Sequence, residues 1–235
     1  MERLDKVLSS FYSLSRADTK KLMKKACVKV NSELVRSLDM KVEPEKDEIT
    51  VDGEKIIFKK HIYIMMNKPK GVISASNDTK TRTVIDLVPE NLYRDGLFPA
   101  GRLDGDTTGF VLITDDGDFA HRILSPKNHI EKTYHALLEH RLTQEDINCF
   151  LSGVELKDGT MCLEAKVRML EGNTAEVIIH EGKYHQVKRM FAALSNRVLE
   201  LKRVKMGNLP LDETLGEGEC REITDEELKM IERKP

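Results

Sequence analysis

Residues 104–115 read DGDTTGFVLITD, and two incompatible folds can be built from them. An EF-hand loop places oxygen ligands at alternating positions, turns on a glycine at position six and closes with a bidentate acid at position twelve. Asp104, Asp106, Thr108, Gly109 and Asp115 match that template. The flanks do not. An EF-hand needs a helix on each side, whereas LFPAGRL (97–103) upstream holds Pro99 and Gly101, and FVLIT (110–114) is β-branched and apolar, as a strand requires. Position nine is Leu112 and the closing acid is the shorter Asp. The stretch therefore predicts a loop that enters a strand, with no metal.

The 235 residues, 40% hydrophobic and 33% charged, suffice for a small module plus a medium domain, each with its own core. No apolar run approaches the roughly 18 residues of a membrane helix, and MERLDKVLSS (1–10) is charged where a signal peptide would be apolar. A cytoplasmic protein is expected. Cys27, Cys149, Cys162 and Cys220 form no CxxC pair, which argues against a zinc knuckle or a disulfide framework. HEGKYH (180–185) resembles a zincin motif, but His180 and His185 are five apart and would not share a helix face.

A formal net charge of -2 hides an asymmetry. Residues 1–41 carry ten Lys/Arg against five Asp/Glu, whereas residues 211–235 carry four against nine. In RLDKVLSSFY (3–12), Leu4, Val7, Leu8 and Phe11 recur at helical spacing, and Ser15 with Asp18 gives a capping-box-like start to a second helix, SRADTKKLMKKA (15–26). That helix carries Lys20, Lys21, Lys24 and Lys25 beside one apolar pair, Leu22 and Met23. Strand-like VKVNSELV (28–35) and DEITVDGEKI (47–56) follow, with turn signals at Asn31 and Asp52-Gly53. This order resembles the alpha-L (S4-like) RNA-binding module. The resemblance implies a positive surface for RNA phosphates over residues 1–58, with Lys20, Lys21, Lys24 and Lys25 as contacts.

KVEPEKDE (41–48) and FKKH (58–61) bracket the module's last strand, which places the domain boundary near Lys59, with residues 59–235 as a second domain. There, IYIMM (62–66), FVLIT (110–114), YHALLE (134–139), EAKVRML (164–170) and AEVIIH (175–180) read as strands; LTQEDINCFLSG (142–153) and HQVKRMFAALS (185–195) read as helices. Strands this frequent, with connections this short, exclude a doubly wound parallel sheet and predict a mixed, mainly antiparallel α+β domain.

MMNKPKGV (65–72), AGRLDGDTTGFVLITDDGD (100–118) with EKTYHALLE (131–139), and EGKYHQVKRMFAALSNRVLELKR (181–203) resemble, in order and spacing, the motifs of pseudouridine synthases. With the appended module, the likeness is to the RsuA type, which modifies small-subunit (16S) ribosomal RNA; HQVKRMFAA (185–193) and PKNHIEKTY (126–134) favour it over a large-subunit synthase of the same family. The resemblance implies isomerisation of a uridine: the bond from ribose C1′ to uracil N1 breaks and C5 is joined to C1′. No cofactor or metal is implied. The target must leave its stack, at a few kcal/mol.

By the same resemblance Asp104 is the catalytic acid, as a nucleophile on sugar or base or as a base at C2′. Lys188 is its cationic partner, where many synthases have Arg and thus a bidentate fork. Tyr134 lies against the flipped uracil, Arg102 contacts RNA near the vacated site, and Leu201 lines the pocket. Arg189 is a further RNA contact and the next candidate partner for Asp104. Asp106, Thr107, Thr108 and Gly109 support the catalytic loop, and Lys68, with Pro69 and Gly71, forms a turn against it. The expected partner is ribosomal RNA or a small-subunit assembly intermediate, with the protein a monomer. A non-catalytic ribosome-assembly protein that kept the fold would have lost Asp104 or Tyr134, and neither is replaced.

Overall fold

The computed structural model describes residues 1–12, 14, 16–56, 59–125, 128 and 130–232. Ser15 of the expected helix cap, Phe58 of the basic turn, and Pro126, Lys127 and His129 of the PKNHIEKTY motif lie outside the described residues. The chain forms two compact units, Met1–Ile62 with Pro89–Asp95, and Tyr63–Val88 with Gly96–Pro235.

In the first unit β1 (Glu2–Arg3) leads into α1 (Leu4–Tyr12), α2 (Arg16–Met23), β2 (Val28–Val30), β3 (Glu33–Leu34), β4 (Lys41–Val42), β5 (Ile49–Val51) and β6 (Glu54–Lys55). Leu4, Val7 and Leu8 lie on one face of α1 and are wholly buried against Met23, Val28, Val42, Ile49 and Val51. The first amides of α1 donate to Met40 O and Leu38 O, which satisfies two groups that a helix start leaves open. Two antiparallel hairpins, β2–β3 and β5–β6, join through β2–β5 into a four-stranded sheet. Each turns on two residues with positive φ, Asn31-Ser32 and Asp52-Gly53, the backbone that matches strand twist in two-residue hairpins. The basic helix is shorter than its lysines suggested. It stops at Met23, and Lys24 and Lys25 occupy the turn that follows, where Lys25 N–H donates to Leu22 O.

The second unit is built on one sheet. Its strands are β7 (Tyr63–Lys68), β8 (Phe98–Pro99), β9 (Thr108–Thr114), β10 (Lys132–Leu138), β11 (Lys166–Met169), β12 (Thr174–Ile179), β13 (Val198–Met206), β14 (Leu209–Pro210) and β15 (Cys220–Glu222), and the main order is β11-β12-β10-β13-β9-β7-β15. The helices are α3 (Gly117–Leu124), α4 (Gln144–Ser152), α5 (Gln186–Ala193) and α6 (Asp225–Glu232). Every pairing is antiparallel except β9–β13. All seven residues of β9 are buried, because both faces are covered. Phe110 and Leu112 pack with Phe119, Ala120 and Ile123 of α3 and Ile231 of α6.

Neither α3 nor α6 was among the expected helices. The signal for α3 was there: Asp116 accepts from Phe119 N–H as an N-cap, and Phe119, Ala120 and Ile123 make an apolar face. It follows directly on Asp115, the closing acid of the calcium template. β13 was read only as part of a motif, and it is the longest strand. The calcium arrangement itself is geometrically closed off, since β9 extends over 108–114 and so carries Asp115 roughly 23 Å from Thr108 at about 3.3 Å per residue, too far for both to ligate one ion.

At the parallel seam Lys202 lies opposite Thr108 and Arg203 opposite Gly109. Gly109 has φ +96, and a Cβ there would meet Arg203 O at 2.2 Å. No side chain fits that position. The buried Arg203 crosses the same seam, its Nε donating to Phe110 O at 2.7 Å. Gly109→Ala is therefore expected to destabilise the domain by on the order of 3 kcal/mol or more, through both the close contact and the left-handed backbone. Urea denaturation checks this. A midpoint equal to that of wild type would mean that the seam can open at no cost.

Candidate active site

The seam brings together two segments that are distant in sequence. The loop before β9 carries Asp104, and α5, which leads to β13, carries Lys188. Lys188 Nζ lies 3.2 Å from Asp104 Oδ2 and 2.5 Å from Asp106 Oδ1. On the other oxygen, His185 Nε2 lies 3.4 Å from Asp104 Oδ1. The Asp104 carboxylate is thus bracketed by two basic side chains, one on each oxygen. His185 was not among the expected site residues. Its position is dictated by the backbone: it is the N-cap of α5 and sits in the left-handed region at φ +48, which costs a non-glycine residue about 1–2 kcal/mol. Nothing in the residue type alone signals that conformation.

The loop is held from below. Lys68 is fully buried, and its ammonium donates to Thr107 O at 2.7 Å, Pro69 O at 3.0 Å and Gly105 O at 3.3 Å. Gly71 N–H donates to Gly105 O, and Leu103 N–H to Ser74 Oγ. Within the loop, Thr107 N–H donates to Asp104 O at 3.1 Å. Burial pushes the Lys68 ammonium down to about 8 from its ordinary 10.5, an effect that the charges of Asp106 and Asp104 partly oppose. The Asp106 carboxyl is held below the usual carboxylate range, first by its hydrogen bond from Lys188. Gly109 serves close strand approach rather than a turn, and Thr108 Oγ1 reaches toward Leu201 O at 3.5 Å.

Asp104 opens into a small cleft of about 60 Å³ lined by Arg102, Leu103, Thr107, Tyr134, Val187 and Leu201 among others. Asp106 is mostly exposed and does not line it. Tyr134, on β10, is buried, and Leu201, on β13, closes the floor. Arg102 is exposed at the rim, with no ion pair among the described residues. Arg189 points elsewhere: its guanidinium pairs with Asp158 at 2.5 Å and donates to Tyr184 O.

In the first unit, Lys20 pairs with Asp5 and Asp39, and Lys21 with Asp18. A groove beside Met23 and Val28 is lined by Lys20, Lys24 and Arg36. Part of the positive charge expected there is therefore answered within the module. Among the described residues no cluster of three His, Cys, Asp or Glu side chains is arranged to hold a metal ion, and no helix is long and apolar enough to cross a membrane.

An acid at a cleft lined by a Tyr strand and a basic helix, in a chain that also carries an alpha-L-type module, is the arrangement of an RNA-modifying isomerase class. Residues 62–193 match the family described as RNA pseudouridylate synthase, and residues 2–49 match the S4 domain. The chain belongs to the RNA pseudouridine synthase family. It is 42% identical over 233 residues to an RNA pseudouridine synthase of Bacillus subtilis, covering 97% of this chain and 98% of that one. It is 39% identical over 232 residues to the ribosomal small subunit pseudouridine synthase A of Escherichia coli K12, covering 97% and 99%. A crystal structure of a pseudouridylate synthase superposes with a TM-score of 0.69 at 39% identity, over 98% of this chain and 100% of the other. The RsuA type is thus the branch it resembles along nearly its whole length.

Lys68 supplies a measurable signature. The native chain gives up this proton near pH 8 and the unfolded chain only near 10.5, so between them the unfolded state binds more protons and stability rises with pH. Lys132, also buried and pushed down to about 8, does the same. In K68M the Lys68 share vanishes. Wild type should gain on the order of 2 kcal/mol of unfolding free energy relative to K68M between pH 7.5 and 10.5. Parallel curves for the two proteins would show that Lys68 stays charged in the fold.

Proposed function

We propose that this protein converts a uridine of small-subunit (16S) ribosomal RNA to pseudouridine, with Asp104 as the catalytic acid. The observation that carries the reading is the Asp104 carboxylate itself: a cation on one oxygen, an imidazole on the other, and a cleft walled by Tyr134 and Leu201 in front of it. Isomerisation conserves every atom. The C1′–N1 bond breaks, C5 bonds to C1′, C5 loses its proton and N1 gains one. A residue must hold the detached base while the sugar waits, and a buried tyrosine beside an apolar side chain suits a uracil ring. The cleft is too small to admit duplex RNA, so the target nucleotide enters flipped, and phosphate contacts offset that cost.

In this reading Lys188 holds the Asp104 carboxylate in place, and its shared contact with Asp106 fixes its direction. Arg102 faces the RNA at the rim, and Lys68 with Asp106, Thr107, Thr108 and Gly109 maintains the loop. Residues 1–58 are an RNA-gripping module in which Lys20, Lys21, Lys24 and Lys25 meet phosphates, and residues 59–235 carry the chemistry. The protein works as a monomer in the cytoplasm, without metal or cofactor. The S4 match supports RNA binding, and the small-subunit synthases among the relatives support an RNA of the small subunit over one of the large.

Pseudouridine mapping of ribosomal RNA from cells with and without the gene tests the substrate. A missing modification in 16S RNA is expected; a missing one in the large subunit alone would transfer the reading to the large-subunit class. Asp104→Asn should reduce turnover below a few per cent of wild type with RNA affinity nearly kept, whereas an inactive Asp106→Asn beside an active Asp104→Asn would identify the other acid. Lys188→Met should cost about ten- to hundredfold in single-turnover rate. That is less than a fully buried pair would lose, because Lys188 and Asp104 are each about a quarter exposed and His185 remains. Lys188→Arg should lose far less.

A further inference from the structure

Tyr184 is 74% exposed, the most exposed aromatic residue among those described, and it stands at the edge of the site. Its ring stacks on that of His185, with centroids 3.8 Å apart and planes 19° from parallel. His185 in turn touches Asp104 and lines the cleft. The two rings therefore make a short pile that starts at the carboxylate and ends in solvent.

The pile is fixed. His185 is held in the left-handed backbone at the head of α5, and Tyr184 O accepts from Arg189 Nη1, whose other end is tied to Asp158. A flat, solvent-facing aromatic surface is what sequence-tolerant binding of unstacked bases uses. The spacing suits it as well. Successive bases in a strand lie about 3.4 Å apart, close to the interval between the two rings. Tyr184 stacks on His185, which lines the Asp104 cleft, so its exposed ring lies beside the place where a target uracil would enter.

We propose that the Tyr184–His185 stack is a base-stacking platform for the nucleotide that flanks the flipped uridine. It replaces the stacking partner that this nucleotide loses when the uridine leaves. The inference rests on the reading of single-stranded ribosomal RNA as substrate.

The test uses the full chain and a uridine-rich single-stranded RNA with one 2-aminopurine beside a uridine, whose fluorescence falls when the base stacks. Wild type should quench the probe. Tyr184→Ala should lose most of the quench and weaken Kd about tenfold, while Tyr184→Phe, which keeps the ring, should keep both within about twofold. Circular dichroism and thermal unfolding confirm that each variant is folded. Unchanged quench and Kd in Tyr184→Ala would overturn the proposal, and so would a Tyr184→Phe variant as impaired as Tyr184→Ala. Pseudouridine formation by wild type on 16S RNA is measured alongside. Product with no effect of Tyr184→Ala on the probe sinks the platform alone, and quench without product on any ribosomal RNA sinks the substrate reading alone.

Discussion

The structure depends on how closely two parallel strands can approach. β9 and β13 meet where Gly109 stands opposite Arg203, and only a residue without Cβ leaves room for the Arg203 carbonyl. That contact joins the two antiparallel halves of the sheet. It also sets the chemistry, because the loop that ends in β9 carries Asp104 and the helix that leads to β13 carries Lys188. A wider seam would move the acid away from its cation.

A cluster of acids at such a seam repels itself, and two lysines answer it from opposite sides. Lys68 lies beneath the loop in a dry site, where burial lowers its affinity for a proton and three carbonyls take its hydrogen bonds. Lys188 lies on the other side, largely shielded, and shares its charge between Asp104 and Asp106. The first holds the shape of the loop and the second directs one of its carboxylates. An arginine in the upper position would offer a planar fork, whereas the ammonium here is a compact charge that can serve two carboxylates at once.

The N-terminal module illustrates how charge counting misleads. Its excess of lysines and arginines is real, yet Asp5, Asp18 and Asp39 are folded back onto Lys20 and Lys21. Surface pairs of this kind contribute little to stability and exchange readily for other partners. They leave Lys24, in a turn rather than on a helix, lining the groove with Arg36.

Much of this was legible in one dimension. Alternating and continuous apolar runs marked β2, β5, β7, β9, β10, β11 and β12, Asn31 and Asp52-Gly53 marked the hairpin turns, and the ordered motifs around Asp104, Tyr134 and Lys188 pointed to one family, since each is a local pattern that the chain carries wherever it folds. Helix α3 was legible in principle, in its capping acid and its apolar face. The meeting of β9 with β13, the burial of Lys68, and the turn of His185 toward Asp104 were not. Those depend on which strands become neighbours and on one residue held at positive φ, and a sequence contains no local signal for either. The sequence by itself determined the family, the hairpin turns and most of the long strands; the tertiary structure decided which groups face each other, because distances between residues eighty apart are set by packing and not by spacing along the chain.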